Sequence, residues 1–179
     1  MAEIAQPRTR DHLIALAFAL LGGVIGIFAA AFEELRSGAG ILVPFIVAPM
    51  AEEGLKPIGI YLLLYRSPHI LRGQLYTATL TALSGLCFGV IESIVYVTVY
   101  APDQSQAYFI YRFSVTLALH MAASFIVGLG INRPLLDWAN GLARFPKRTR
   151  NAFVAAVLLH AAYNITAVSL ELSGVLDFG

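Results

Sequence analysis

Three runs of twenty residues, Leu13 to Phe32, Phe113 to Asn132 and Asn151 to Leu170, contain no Asp, Glu, Lys or Arg. A fourth, Gln74 to Ile91, is nearly as long. A hydrocarbon layer about 30 Å thick is crossed by roughly 20 residues of helix, so each run is long enough to span a bilayer. Lipid offers no partner to a backbone N–H or C=O, and an α-helix satisfies both within the segment. Composition agrees: 58% of the 179 residues are hydrophobic and 13% are charged, where a soluble domain carries about 25% charge. A soluble enzyme, a nucleic-acid binder and a disordered tail are excluded. The net charge of +1 gives no reason to expect a polyanionic partner, and the single cysteine, Cys87, excludes an internal disulfide framework.

The sequence predicts an all-α, polytopic membrane helix bundle of about five helices, at 12–33, 40–65, 74–100, 108–131 and 150–172. Residues 1–179 read as one integral membrane domain without internal repeats. Nine of the twelve basic residues fall on one side of this topology: Arg8, Arg10, Arg66, Arg72, Arg133, Arg144, Lys147, Arg148 and Arg150. The positive-inside rule then places the amino terminus in the cytoplasm and the carboxyl terminus, with Glu171 and Asp177, outside a cell membrane. Ala29-Ala30-Ala31 resembles a signal-peptidase site, but the preceding apolar run exceeds the roughly 7–15 residues of a signal core, so the segment reads as a spanning helix.

The residues that interrupt the apolar pattern carry the chemistry. Helix two contains Glu52-Glu53-Gly54-Leu55-Lys56-Pro57, with Glu52 about twelve residues or roughly 18 Å from the helix start, close to mid-membrane. Helix three carries Glu92, helix four His120 with Arg112 eight residues before it, and helix five His160 and Asn164 one turn apart. Each charge at mid-membrane costs about 2.5–3.5 kcal/mol on insertion scales, so three glutamates and a lysine together cost on the order of 10 kcal/mol. Such groups face one another or a wet cavity, which predicts one polar site inside the bundle. Blander readings exist for each residue. Lys56 lies at i+4 and i+3 from Glu52 and Glu53 and pairs with them, the histidines and Asn164 serve as interhelical glue, and Arg112 snorkels to the outer interface. The joint pattern is harder to explain as glue. Pro44, Pro49 and Pro57 fall in the same span, and Pro57 should break helix two and free a carbonyl beside the two acids.

An amide hydrolase needs a base for water, donors for the oxyanion and a proton for the leaving nitrogen. Glu52 and Glu53 supply the carboxylates. His120, His160 and the Asn164 amide supply donors or orient water, and Glu92 orients a histidine or Lys56 or shares in water activation.

Glu52-Glu53-x-x-Lys56, Phe88-x-x-x-Glu92, the Arg112 to His120 segment and His160-x-x-x-Asn164, in that order on successive helices, resemble the motifs of the PrsW-type intramembrane proteases. That group is related to the CAAX prenyl endopeptidases and the bacteriocin-immunity-type membrane proteins. The resemblance implies a metal-independent, glutamic-type intramembrane endopeptidase without a cofactor. Glu52 and Glu53 would be the water-activating acids and His160 with Asn164 the oxyanion pair, with Lys56 and Arg112 in support. It implies a membrane-protein substrate such as a single-span anti-sigma factor, cut toward the outer side. The prenyl endopeptidases carry a histidine where this chain has Glu92 and an arginine where it has Lys56, which disfavours prenylated substrates and shifts the imidazole function to His120.

Two other classes use the same residues. A proton-coupled or metal-ion transporter also places Glu and His at mid-membrane, although five helices without an inverted repeat are few for one. A metal-dependent hydrolase would hold zinc or another divalent ion on the carboxylates and histidines, although no H-E-x-x-H signature is present.

Overall fold

The computed structural model describes residues 8–37, 40 and 42–173; Asp177, expected beyond the last helix, lies outside them. Every regular element among them is helical. The first helix, α1, is Thr9–Ser37. A π-helical turn, Val43–Val47, leads into α2, Ala48–Leu55, and after a break α3 follows, Ile58–Arg66. Helix α4, Gln74–Val95, ends in a second π turn, Tyr96–Tyr100. Helix α5, Gln106–Tyr111, passes through a third, Arg112–Thr116, into α6, Leu117–Gly128. Short α7, Arg133–Ala139, precedes α8, Lys147–Leu172. The stretches Thr9–Phe32, Gln74–Tyr100, Gln106–Gly128 and Lys147–Leu172 are each long and apolar enough to cross a membrane. The predicted helix 40–65 is present in pieces.

Several boundaries differ from expectation, among them both ends of the first helix, Thr9–Ser37 against 12–33, and of the fourth span, Gln106–Gly128 against 108–131. The last helix begins at Lys147 rather than 150, so a basic turn belongs to it. Helix α7 lies where a connector was expected; Pro134 in its first turn presets a helical φ, and Leu135 and Leu136 bury against the core.

The break in the second span follows from Pro57, which has no N–H to donate. The Lys56 amide closes α2 on the Glu52 carbonyl at 2.9 Å, and α3 restarts with Ile60 and Tyr61 both donating to the Pro57 carbonyl, at 2.9 and 3.0 Å. The Lys56 carbonyl at the break instead accepts from Ser84 Oγ on α4. A backbone acceptor that lipid could not satisfy is thus met by protein.

The helices form a closed ring: α1 packs on α2, α3 and α4, α4 on α6, α6 on α8, and α8 back on α2. Inside it sit Glu53, Lys56, Phe88 and His120, each fully buried. Below them Ile60, Leu63, Leu80, Val127 and Ile131 form an apolar core. Outside, Leu13, Leu21, Phe28 and Phe32 of α1 are exposed, the arrangement a lipid-facing surface requires. We call the end with connectors 67–73 and 129–146 basal, and the end with connector 101–105 distal. At the basal end Arg72 donates to His12 Nε2 at 2.8 Å and Tyr76 Oη lies 3.0 Å from His12 Nδ1, which fastens the start of α1 to α4.

The α1–α3 contact depends on two glycines. A Cβ at Gly22 would lie 2.8 Å from the Gly59 nitrogen, and one at Gly59 would overlap the Phe18 carbonyl. Gly59→Ala is therefore expected to lower stability by at least about 1–3 kcal/mol. At Gly54 the nearest atom to an added Cβ is 3.8 Å away, so Gly54→Ala should be near neutral. Thermal unfolding of both variants in detergent checks the contrast; equal melting points would refute the close approach.

Candidate active site

The buried charges of α2 lie on the inner side of the ring because Glu52, Glu53 and Lys56 are separated by three and four residues, one helical turn. Lys56 Nζ, with no exposure, lies 2.7 Å from Glu53 Oε1, 3.0 Å from Glu52 Oε2 and 2.8 Å from His120 Nδ1. The ring of Phe88 covers it, with the centroid 4.4 Å away. An ammonium group only donates, so His120 Nδ1 accepts. Its Nε2–H then donates to Glu92 Oε2 at 2.8 Å. The same oxygen accepts from Arg112 Nη2, also at 2.8 Å, and the guanidinium rests 4.0 Å above the Tyr96 ring.

His160 is held in a similar way. Its Nδ1 is 2.8 Å from Glu53 Oε1 and donates to that carboxylate, which leaves Nε2 as an acceptor 3.8 Å from Glu52 Oε2. His120 Nδ1 is also 3.8 Å from Glu52 Oε2. The two imidazoles stand edge to face with centroids 5.2 Å apart beside one carboxylate oxygen; the His160 Nε2 lone pair is open, whereas that of His120 Nδ1 is taken by Lys56. Each is oriented from behind by a second carboxylate, Glu92 or Glu53. Glu53 Oε2 is buried without a hydrogen bond, a condition that costs about 1–3 kcal/mol in a protein interior, whereas Glu52 Oε2 has the Lys56 ammonium at 3.0 Å. Glu52, Glu53, His120 and His160 each bring one ligand-type atom within 4.8 Å of the others.

A cavity of about 260 Å³ reaches this cluster from the distal end. Glu52, Glu92, His120 and His160 lie on its wall, and Pro44, Tyr96 and Tyr108 are among its outer residues. Glu53 and Lys56 do not line it. Of the two adjacent acids, only Glu52 is reached from the cavity.

Six of the residues singled out from sequence, Glu52, Glu53, Lys56, Glu92, His120 and His160, are therefore linked into one cluster. Asn164 lines the cavity one turn from His160, where its Nδ2 donates to the Pro44 carbonyl at 2.7 Å. The expectation that Arg112 snorkels outward is corrected. The side chain is buried and points inward, because Glu92 and the Tyr96 ring offer it a carboxylate and a π face inside the bundle. Arg112→Gln should then release Glu92 from its orientation of His120 and shift the His120 ring resonances in NMR, with the melting point as the control for folding. Unchanged His120 resonances in that variant would rule out the relay.

Sequence reasoning missed the uncharged wall. Tyr163 Oη and Thr116 Oγ1 are 2.6 Å apart in the cavity lining. Thr116 precedes His120 by four residues and Tyr163 follows His160 by three, so helical spacing from the histidines was the available signal.

Comparison with known proteins agrees with this architecture. A family model described as PrsW family intramembrane metalloprotease matches residues 11–178. No curated protein and no solved structure gave a match. With the match running through every helix and across the whole Glu–His cluster, the chain belongs to the PrsW family of intramembrane proteases.

Proposed function

We propose that this chain is a multi-pass endopeptidase of the cell membrane that hydrolyses a peptide bond in a membrane-protein substrate, using water activated at Glu52. The observation that carries the proposal is the convergence of His120 Nδ1 and His160 Nε2 on Glu52 Oε2 at the inner wall of the cavity, each at 3.8 Å. Glu52 and His160 Nε2 are the acceptors open to a water on the cavity wall, with the Lys56 ammonium held against Glu52 and His120; Glu52 takes the water's proton and returns it to the leaving nitrogen. Asn164 gives one amide hydrogen to Pro44 and has a second for the developing oxyanion. His160, with Nδ1–H committed to Glu53, offers the cavity an acceptor, so the oxyanion role expected for it passes to Asn164.

The same donor set fits a divalent cation, as the family description implies. One carboxylate and two imidazoles suit zinc, and both imidazoles have the carboxylate partner that ligating histidines carry. Glu52, His120 and His160 would hold the ion, which when bound would supply Lewis acidity toward water and the scissile carbonyl and so replace Glu52 as the agent that activates water. The metal-independent mechanism expected from the motifs remains the second reading. It is favoured by Lys56 Nζ, which already lies 3.0 Å from Glu52 Oε2 and 2.8 Å from His120 Nδ1. Transport is disfavoured because Lys56 and Phe88 fill the space beneath the cavity without exposure to it.

With the basic basal end in the cytoplasm, the amino terminus is cytoplasmic, the carboxyl terminus is outside and the cavity opens outward. A single-span anti-sigma factor cut near its outer end is the substrate class we propose. The test is reconstitution of the full chain with a single-span membrane protein, with cleavage and bound metal measured together. Cleavage, stoichiometric metal and loss of that metal in His120→Ala and His160→Ala are expected. Full activity in metal-free protein would assign the metal-independent mechanism, and failure to cleave any single-span protein would overturn the protease reading.

A further inference from the structure

A second cavity, about 410 Å³, lies on the opposite, basal half of the molecule and has no part in the chemistry above. It exists because of the break at Pro57. Among the described residues α8 packs on α2 but not closely on α3, so the two spans diverge below the Glu53–His160 contact and leave a cleft. Tyr65 and Phe153 stand on opposite walls, and Leu136, Trp138 and Phe145 close the basal end. Apart from Thr149 and Arg150 the lining is apolar or aromatic. Tyr65, Trp138 and Phe145 are 58%, 44% and 44% exposed, so the cleft opens sideways rather than being sealed.

Arg150 is the one charged residue lining the cleft, and the single acid beside its basal end, Asp137, is paired with Arg133 at 3.2 Å. The first turn of α8 contains Lys147, Arg148 and Arg150 and no acidic residue, and no side chain caps it. Positive side chains at the positive end of a helix dipole repel it, and an anion at that point relieves the conflict. Arg144 adds a further cation immediately before the turn. Arg150 both belongs to this turn and lines the cleft. Apolar walls at membrane depth, aromatic side chains at the rim and a cationic edge match one amphiphile: an acyl chain joined to a phosphate.

We propose that this cleft binds an anionic phospholipid of the basal leaflet, with one acyl chain between α3 and α8 and its phosphate at Arg150. A cleft of about 410 Å³ that opens sideways takes one extended acyl chain lengthwise, and a substrate helix about 10–12 Å wide is the competing occupant that the test below excludes. The site differs from general attraction of a basic surface because the lipid's own chain must enter the protein.

Trp138, the only tryptophan in the chain, lines the cleft and reports on it directly. The full chain is reconstituted into phosphatidylcholine vesicles doped with phosphatidylglycerol or with further phosphatidylcholine, the dopant brominated along its acyl chains. Quenching of Trp138 by the brominated phosphatidylglycerol should be the stronger. Arg150→Glu should lower that preference by about tenfold, while Arg66→Glu, at the same end but outside the cleft, should leave it largely intact. Equal quenching by both lipids, or equal losses in both variants, would overturn the proposal. Relief of quenching by an excess of a single-span peptide would also overturn it, by assigning the cleft to a substrate helix.

Discussion

Glu52→Gln should remove cleavage while leaving the protein folded. Glu52 is the acid on the cavity wall, and neutralising it deletes the proton acceptor on which both imidazoles converge. Loss of a general base typically costs about 10²–10⁴-fold in rate. Folding should survive, since the amide fills the same volume and Lys56 keeps its shorter contact to Glu53. Glu53→Gln should behave in the opposite manner. Glu53 is fully buried, absent from the cavity wall, and its Oε1 serves both Lys56 and His160, at 2.7 and 2.8 Å. Removing one member of a buried, hydrogen-bonded charge pair costs about 3–5 kcal/mol, so that variant should lose stability first. Cleavage rate and melting point, measured on both variants in one detergent, separate the roles. An active Glu52→Gln enzyme would remove this residue from the mechanism.

Lys56→Met should be the most destabilising substitution in the chain's centre. The lysine is fully buried and within 3.0 Å of both Glu52 and Glu53. Methionine keeps the apolar stem against Phe88 but leaves two adjacent carboxylates without their cation. A loss of about 3–5 kcal/mol is expected, which for a chain of this size lowers the melting point by roughly 6–20 °C. The double variant Lys56→Met with Glu53→Gln should recover part of that loss, because one of the stranded charges is gone, and a coupling of about 0.5–3 kcal/mol is the signature. A Lys56→Met protein that melts with the wild type would show that neutralisation of the acids does not depend on Lys56.

These two predictions rest on residues that the sequence itself exposed. Glu52, Glu53, Lys56 and Glu92 stand out because charge is scarce in apolar spans, and Pro57 announces the break because it lacks a donor in any context. What the sequence hid depends on relations between helices. That Glu92 backs His120, and Glu53 backs His160, follows from α4 meeting α6 and α2 meeting α8, which no local spacing encodes. Arg112 was misread because a cation near a span's end ordinarily turns to water; only the presence of Glu92 and Tyr96 across the gap reverses that choice. The tyrosines of the cavity wall were invisible for a simpler reason, since in a chain this apolar an aromatic residue attracts no notice. Helix α7 escaped because seven residues are too few to show a period.

The three π turns, Val43–Val47, Tyr96–Tyr100 and Arg112–Thr116, all lie at the distal end, and each contributes at least one residue to the cavity wall. A π turn is an α-helix carrying a surplus residue. Each surplus residue offsets everything beyond it by about 100° around the axis. The register that brings Arg112 and His120 onto the same Glu92 oxygen is therefore a counted property of the chain, set by length as well as by composition. Deleting Val115, which is half exposed and alters no charge, would remove the surplus while leaving every polar residue in place. The helix would become more regular, and Arg112 and His120 would part company.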